Sequence, residues 1–544
     1  MKSMRAAVVV GSAMILGAGV CAASDPAAGA VDGIFVQFTK PGSPGCSVGV
    51  IRDGNFVYKK SFGEGSLELG VPLTPESVFY MGSVSKQFTA AAVVIASEKG
   101  LLSLDDDARK YLPELPDYGH PVTLRELIHQ TSGFRDFLEL EGLTGGDPAS
   151  LSAEDALRLI ARQKGLNNVP GDEWIYSNSN YFLLGEIVKR ATKKTLAEFS
   201  EENIFKPLGM THTRFYDDHT VVLPGRVAAY DPGKDGTFKV DWNNAYELVG
   251  GGGLMSTVDD MLLWDRNFYA NKLGTADFLK EMQSQGKLNN GNEIDYAMGL
   301  SLGNYRGLTT VEHGGALYGY RTEILRFPEQ KFSVVTLCNV GNADPEGLSR
   351  KVADLYLAAD FKDQATEKAK ADLPDPTPFA GTYLDPRTHN AYTFSVKDGK
   401  LMGWGVVLHR ISANQYYDFS TNVITFDPAN EKVNLALKGE PDFFVGKKVA
   451  EPKLTDAELQ AFAGTYHSEE IDADYELAVE KGKLMLHIHN SPELQMAPVG
   501  KDEFYFGGLG SLVFERDNGG RVTGFQFFGQ RVRGLVFRRI EQTH

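Results

Sequence analysis

Apolar residues alternate with small or polar ones from Cys46 to Arg52 and again from Asn55 to Phe62, with Asp53-Gly54 between them. That is the pattern of two strands joined by a tight hairpin turn. A second pair, Tyr320–Phe327 and Phe332–Cys338, flanks a turn at Pro328. Between the two hairpins the period lengthens. Ser83–Gly100 places Phe88, Ala91 and Ile95 at helical spacing and stops on Lys99-Gly100, and Leu348–Phe361 is amphipathic. Strand signals at both ends of residues 25 to about 362, with helices between, predict one sheet assembled from both ends of that region.

Charge is dense from Lys362 to Asp372, and Pro374, Pro376 and Pro378 follow, so residues 363–378 read as a linker. Few contacts are expected to cross it, and a chain stopped near Asp363 is expected to fold. Beyond it come short strands and turns, and they repeat. Phe379-Ala380-Gly381-Thr382-Tyr383 returns as Phe462-Ala463-Gly464-Thr465-Tyr466, and Gly399-Lys400-Leu401-Met402 returns as Gly482-Lys483-Leu484-Met485, both at an offset of 83 residues. Two blocks in one register imply a duplicated unit of about 80 residues, enough for a small antiparallel barrel. The division is a leader at 1–23, a first domain at 24–362, the linker, and repeats at 379–450 and 455–544.

Hydrophobic residues make up 42% of the 544 and charged residues 23%, which excludes a disordered, collagen-like or coiled-coil chain. The net charge of −16, with no Lys/Arg cluster to offset it, argues against nucleic acid as a partner. Residues 1–23 have the form of a secretory leader: Lys2 and Arg5, the apolar Ala6–Val20, then the small Cys21-Ala22-Ala23. The apolar stretch is short and glycine-bearing for a membrane span, and Val20 is bulky for a lipid anchor on Cys21. The expected protein is exported, to the periplasm or beyond, with no span in the mature chain; a homodimer is compatible with this. Export leaves Cys46 and Cys338 in a compartment where disulfides persist.

Three short motifs carry candidate chemistry. In Ser83-Val84-Ser85-Lys86, helical spacing puts the Lys86 amine within reach of the Ser83 hydroxyl, and a buried, neutral lysine can take the serine proton. In Tyr176-Ser177-Asn178, the phenol is a strong base if a cation such as Lys86 lowers a pKa normally near ~10, and the amide can orient the lysine or a substrate carbonyl. In His313-Gly314-Gly315-Ala316, two glycines allow a ligand close to the backbone just ahead of a strand. Each motif alone is common. Tyr269-Ala270-Asn271 repeats the second and reads as a helix end. Gly250–Gly253 lacks the Gly-Lys-Ser/Thr of a phosphate loop and reads as tight backbone packing. His487-Ile488-His489 reads as strand alternation and not as a metal site.

In this order the three motifs resemble the serine β-lactamase and DD-peptidase superfamily, with S-x-x-K, then Y-x-N, then K-T-G or H-x-G. Leu127–Gly133 resembles its L-x-x-H-T-S-G segment and Gly251–Thr257 its G-G-G-L-x-S-T segment. The resemblance implies an antiparallel sheet with helices on both faces and a helical lobe, the site lying between. It implies Ser83 as the acylated nucleophile, Lys86 and Tyr176 sharing the proton work, and Asn178 holding substrate and lysine. His313 would replace the K-T-G lysine, and Gly315 and Ala316 would line the substrate strand, with the N–H groups of Ser83 and Ala316 as the oxyanion hole. No cofactor or metal is implied. Histidine at that place, followed by two lipocalin-like barrels, is similar to the D-aminopeptidase layout. The implied activity is hydrolysis of amide or ester bonds in a small-molecule or peptide substrate. A β-lactamase, an esterase or a penicillin-binding protein without turnover are the alternatives. In that layout a barrel loop reaches the site, and Gly507–Gly510 has the flexibility for it. In folds of this family the first and last strands are neighbours, which sets Cys46 beside Cys338 and leaves the bond itself open.

Overall fold

Asp53 and Gly54 both take positive φ, 49° and 70°, as a two-residue hairpin turn requires. They join β1 (Cys46–Arg52) to β2 (Asn55–Phe62) in a computed structural model that describes residues 27–241, 247–362, 374–417, 423–437, 440–450 and 452–540. The leader and most of the linker lie outside the described residues. Four further strands complete an antiparallel sheet: β3 (Ser301–Tyr305), β4 (Leu308–Leu317), β5 (Tyr320–Phe327) and β6 (Phe332–Cys338). The order is β3-β4-β5-β6-β1-β2, so the two ends of the domain pair at its centre.

Alternation along the central strands sends side chains into two separate cores. Val48 and Val50 of β1, with Phe332 and Val334 of β6, pack under α1 (Ala28–Ile34) and α5 (Pro345–Tyr356). Ile51, Val335 and Leu337 face the other way, into the helical lobe. The lobe is built on α2 (Ser85–Glu98), buried all round from Ser85 to Ala96, with α3 (Phe137–Thr144) and α4 (Asn178–Thr192) in the same core. Cys46 faces Cys338 in the β1–β6 register, and the two form a disulfide with a Cα separation of 4.0 Å.

The tail holds two antiparallel barrels. The second is a closed ring of eight strands. The first is a run of nine whose end strands, Val406–Val407 and His409–Arg410, are consecutive in the chain, so one bent strand around Leu408 brings the sheet back on itself. The repeated sequence blocks perform the same task in each. The Tyr383 hydroxyl donates to the Phe379 carbonyl at 3.1 Å, and Tyr466 to Phe462 at 2.7 Å. Gly399 and Gly482 occupy matching hairpin turns, at φ 70° and 75°.

The expectation that few contacts join the tail to the first domain is corrected. Leu140, Leu143 and Leu159 of the lobe pack inside the core of the second barrel. Arg135 bridges to Glu470 at 2.7 Å with both side chains 3% exposed. Trp174 N–H donates to Glu440 of the first barrel at 2.5 Å. A chain ended near Asp363 would expose the three leucines and strand a buried guanidinium. Breaking a buried pair from one side typically costs about 3–5 kcal/mol, so Glu470→Ala is expected to lower the unfolding midpoint strongly in a thermal melt. An unchanged midpoint would show that the barrel adds nothing to the stability of the lobe.

Candidate active site

Gly82 and Gly315 decide where the nucleophile motif sits. Gly82 has φ +53°, and a Cβ on it would stand 2.6 Å from Ala316 N. A Cβ on Gly315 would stand 2.1 Å from Met81 O. Only because both lack side chains can the turn carrying Ser83 press against β4. Thr322 of β5 locks the contact by donating its hydroxyl to Met81 O at 2.8 Å. A 3₁₀ turn, Gly82–Val84, then runs straight into α2 and places Lys86 one turn beyond Ser83.

Lys86 is fully buried. Its Nζ lies 3.0 Å from Ser83 Oγ, 2.9 Å from Asn178 Oδ1 and 2.7 Å from the Gly251 carbonyl. The orientation of the Asn178 amide is fixed from behind: its Nδ2 donates to Asp136 at 2.8 Å, which turns Oδ1 toward the lysine. Burial pushes the Lys86 amine well below its usual range; Asp136 opposes this and Arg531 adds to it. A neutral amine has two N–H donors and one lone pair. The amide oxygen and the glycine carbonyl can only accept, so they take both donors and leave the lone pair facing the Ser83 hydroxyl.

Tyr176 sits on the extended chain before α4. The segment is held by Gln130, whose carbonyl accepts from Ile175 N–H at 2.9 Å and whose side chain accepts from Ser177 N–H at 3.0 Å. Lys86 Nζ stands 4.7 Å from the Tyr176 ring centroid. Burial raises the phenol above its ordinary pKa, with the Ser83 hydroxyl and Arg531 acting the other way. With Lys86 pushed toward its neutral form, the cation that could ionise the phenol is weakened, and Tyr176 stands as a proton donor.

His313 lies on β4 with its ring centroid 6.4 Å from that of Tyr176. Its Nδ1 is 2.7 Å from the Gly314 carbonyl, so Nδ1 carries the proton and Nε2 accepts from the Tyr296 hydroxyl at 3.2 Å. Burial, and then Lys86, hold its pKa down at about 4. The ring is neutral at ordinary pH and does not supply the charge a lysine would. The unfolded chain's histidine binds a proton near ~6.5, so stability present above that pH is lost as pH falls toward 4. The loss is on the order of 3 kcal/mol. Denaturant melts between pH 7 and 4.5 are expected to show His313→Gln with a shallower acid decline than the parent; equal slopes would assign the decline elsewhere.

These groups border one cavity of about 850 Å³, lined by Ser83, Tyr176, Asn178, His313, Gly315 and Ala316. Sequence reasoning missed several of its determinants. Asp136 shows in the chain only as a helix N-cap for α3. Tyr296 and the Gly251 carbonyl carry no motif signal for these contacts. Arg531 enters from the second barrel and places its guanidinium 4.9 Å from the Tyr176 ring centroid and 4.0 Å from Asp136. The barrel loop at the site is therefore around Gly529–Val532, and the Gly507–Gly510 assignment is corrected: Leu509 and Gly510 border a separate pocket with Tyr392 and Trp404 of the first barrel. The second Tyr-x-Asn, at Tyr269, borders another pocket at the end of the helix Val258–Asn267. His487 turns outward from its strand toward Glu480, while Leu484, Leu486 and Ile488 point in. No helix among the described residues is long and apolar enough to cross a membrane.

The family model described as Beta-lactamase matches residues 31–359. A D-aminopeptidase of Brucella anthropi is 26% identical over 528 residues, covering 92% of this chain and 96% of its own. One from Brucella canis is 27% identical over 519 residues, covering 91% and 96%. Among solved structures, the octameric penicillin-binding protein homologue from Pyrococcus abyssi superposes with a TM-score of 0.57 at 21% identity, over 85% of this chain and 98% of its own. A D-amino acid amidase from Ochrobactrum anthropi SV3 gives 0.50 at 21%, over 61% and 98%.

Proposed function

Since the chain belongs to the beta-lactamase family and is a serine hydrolase, we propose that it is an exported enzyme that forms an acyl-enzyme on Ser83 and cleaves amide bonds of D-amino-acid amides or short peptides. The observation that carries this reading is the setting of buried Lys86: its Nζ lies 3.0 Å from Ser83 Oγ and is otherwise held by two groups that only accept, Asn178 Oδ1 and the Gly251 carbonyl. The D-aminopeptidase relatives support the substrate class, because the match runs through both barrels and not the catalytic domain alone.

The steps follow from the residues. Lys86 takes the Ser83 proton as Oγ attacks the substrate carbonyl. The oxygen that becomes negative is met by the N–H groups of Ser83 and Ala316, donors typically worth about 3–4 kcal/mol each. Tyr176 donates the proton the departing nitrogen needs and is resupplied by the Lys86 ammonium, which holds the proton taken from Ser83. Water then repeats the sequence on the ester and frees Ser83. The leader at 1–23 supports export.

The test is a panel run on one preparation: D-alanyl and L-alanyl anilides, a D-alanyl-D-alanine peptide, a chromogenic cephalosporin and a short-chain ester, with mass spectrometry of the quenched protein. The expected result is fastest turnover of the D-alanyl anilide and an acyl adduct on Ser83. Turnover of the cephalosporin alone, or a stable adduct without turnover, would replace this reading by one of its alternatives.

A further inference from the structure

The cavity has an acidic side. Glu323, on β5 opposite Gly314 of β4, lines it and is 3% exposed, and its Oε1 has no hydrogen-bond partner among the described residues. Asp344 and Glu346, at the start of α5, line the same side. Arg350 stands behind this side, its guanidinium 3.0 Å from Glu312 and 2.5 Å from Glu346. Arg531, the other guanidinium at the cavity, sits across on the lobe against Tyr176 and Asp136. Gly314 keeps the approach open, since a Cβ on it would stand 3.0 Å from Glu323 Oε2.

We infer that this side of the cavity is a cation subsite, with Glu323 as the specificity-determining residue, which takes a protonated amine carried on the leaving group and rejects a carboxylate there. The inference rests on the hydrolase reading for its direction along the strand. The carbonyl oxygen sits at Ala316, and the leaving nitrogen must reach Tyr176, whose ring lies beside His313. The leaving group therefore runs from Ala316 back toward His313 and Gly314. Two residues of strand span roughly 7 Å, the reach of a diamine with three or four carbons. A buried carboxylate oxygen with no partner is costly and is relieved by a charged donor. A free carboxylate in that place would meet Glu323, Glu346 and Asp344, with Arg350 behind them already held by Glu312 and Glu346. Burial and the neighbouring Glu312 raise the Glu323 carboxyl well above the usual range, and an ammonium beside it favours the ionised form.

The experiment uses three D-alanine amides of equal length, with leaving groups 1,3-diaminopropane (cationic), butylamine (neutral) and 3-aminopropanoate (anionic). Hydrolysis by the full chain is measured as kcat/KM, and binding of the intact amides to the Ser83→Ala protein is measured by calorimetry. The expected order in both is cationic, neutral, anionic, with steps of about tenfold, as one charge-assisted hydrogen bond gives. Glu323→Gln, checked for folding by its melt, is expected to bring the cationic-to-neutral ratio within about threefold. Glu346→Gln, at the rim, frees part of the Arg350 charge and is expected to reduce the same ratio even if Glu323→Gln does not fold. Equal rates and affinities for all three amides, or a ratio unchanged in these variants, overturn the inference while turnover keeps the hydrolase reading. No turnover together with ordered binding that the substitutions abolish does the reverse.

Discussion

Ser83→Ala is expected to abolish turnover of every substrate the enzyme accepts, a loss of about 10⁶ when the nucleophile of a serine hydrolase is removed. The hydroxyl lies 3.0 Å from Lys86 Nζ, and the neighbouring Ser85 is not a substitute: its Oγ donates to Gly82 O at 2.6 Å and is tied into the base of α2. Folding is expected to survive, because Ser83 borders the cavity and its loss leaves no void in the core. Circular dichroism and a thermal melt check the fold, and mass spectrometry checks that no acyl adduct forms. Retention of more than a few per cent of activity would move the nucleophile elsewhere. Tyr269→Phe is the control. Tyr269 borders a different pocket, and the variant should turn over like the parent.

Lys86→Met and Tyr176→Phe are expected to behave as one unit. Each removes a station on the same proton path, and each should cost on the order of 10³–10⁴ in kcat/KM. The double variant should cost little more than the worse single one, because a path broken once carries no more when broken twice. Lys86→Met also leaves Asn178 Oδ1 and the Gly251 carbonyl without their donor, so its melt should be read beside its kinetics. The pH profile separates the two roles. Burial lowers the Lys86 pKa, so the lysine is the base above that value and rate is lost as pH falls through it. This acid limb should persist in Tyr176→Phe and vanish in Lys86→Met. Additive losses in the double-mutant cycle would mean two separate proton paths.

Much of the scaffold is set by local chemistry. The Asp53-Gly54 turn, the two hairpins and the buried α2 follow from period, turn residues and glycine placement, which act within a few residues. The duplication was readable because Tyr383 and Tyr466 each close a loop onto a carbonyl four residues back, so one short block carries a whole structural device. The active-site residues were readable for a related reason. Ser83 and Lys86 meet across one helical turn, and Tyr176 and Asn178 flank one helix start.

What the sequence by itself determined is therefore whatever is encoded at short range: the elements, the repeat, and the identity of the groups that could react. The tertiary structure decided which of them meet and in what charge state. Asp136 orients Asn178 across 42 residues, Arg531 reaches Tyr176 from the far end of the chain, and Glu470 buries itself against a lobe that precedes it by more than 300 residues. No periodicity or spacing records such pairs, because each depends on two surfaces that exist only after both have folded. The same holds for protonation. Tyr176 reads in the chain as a candidate base, and burial makes it an acid, since desolvation acts on a folded volume and not on a neighbour in sequence.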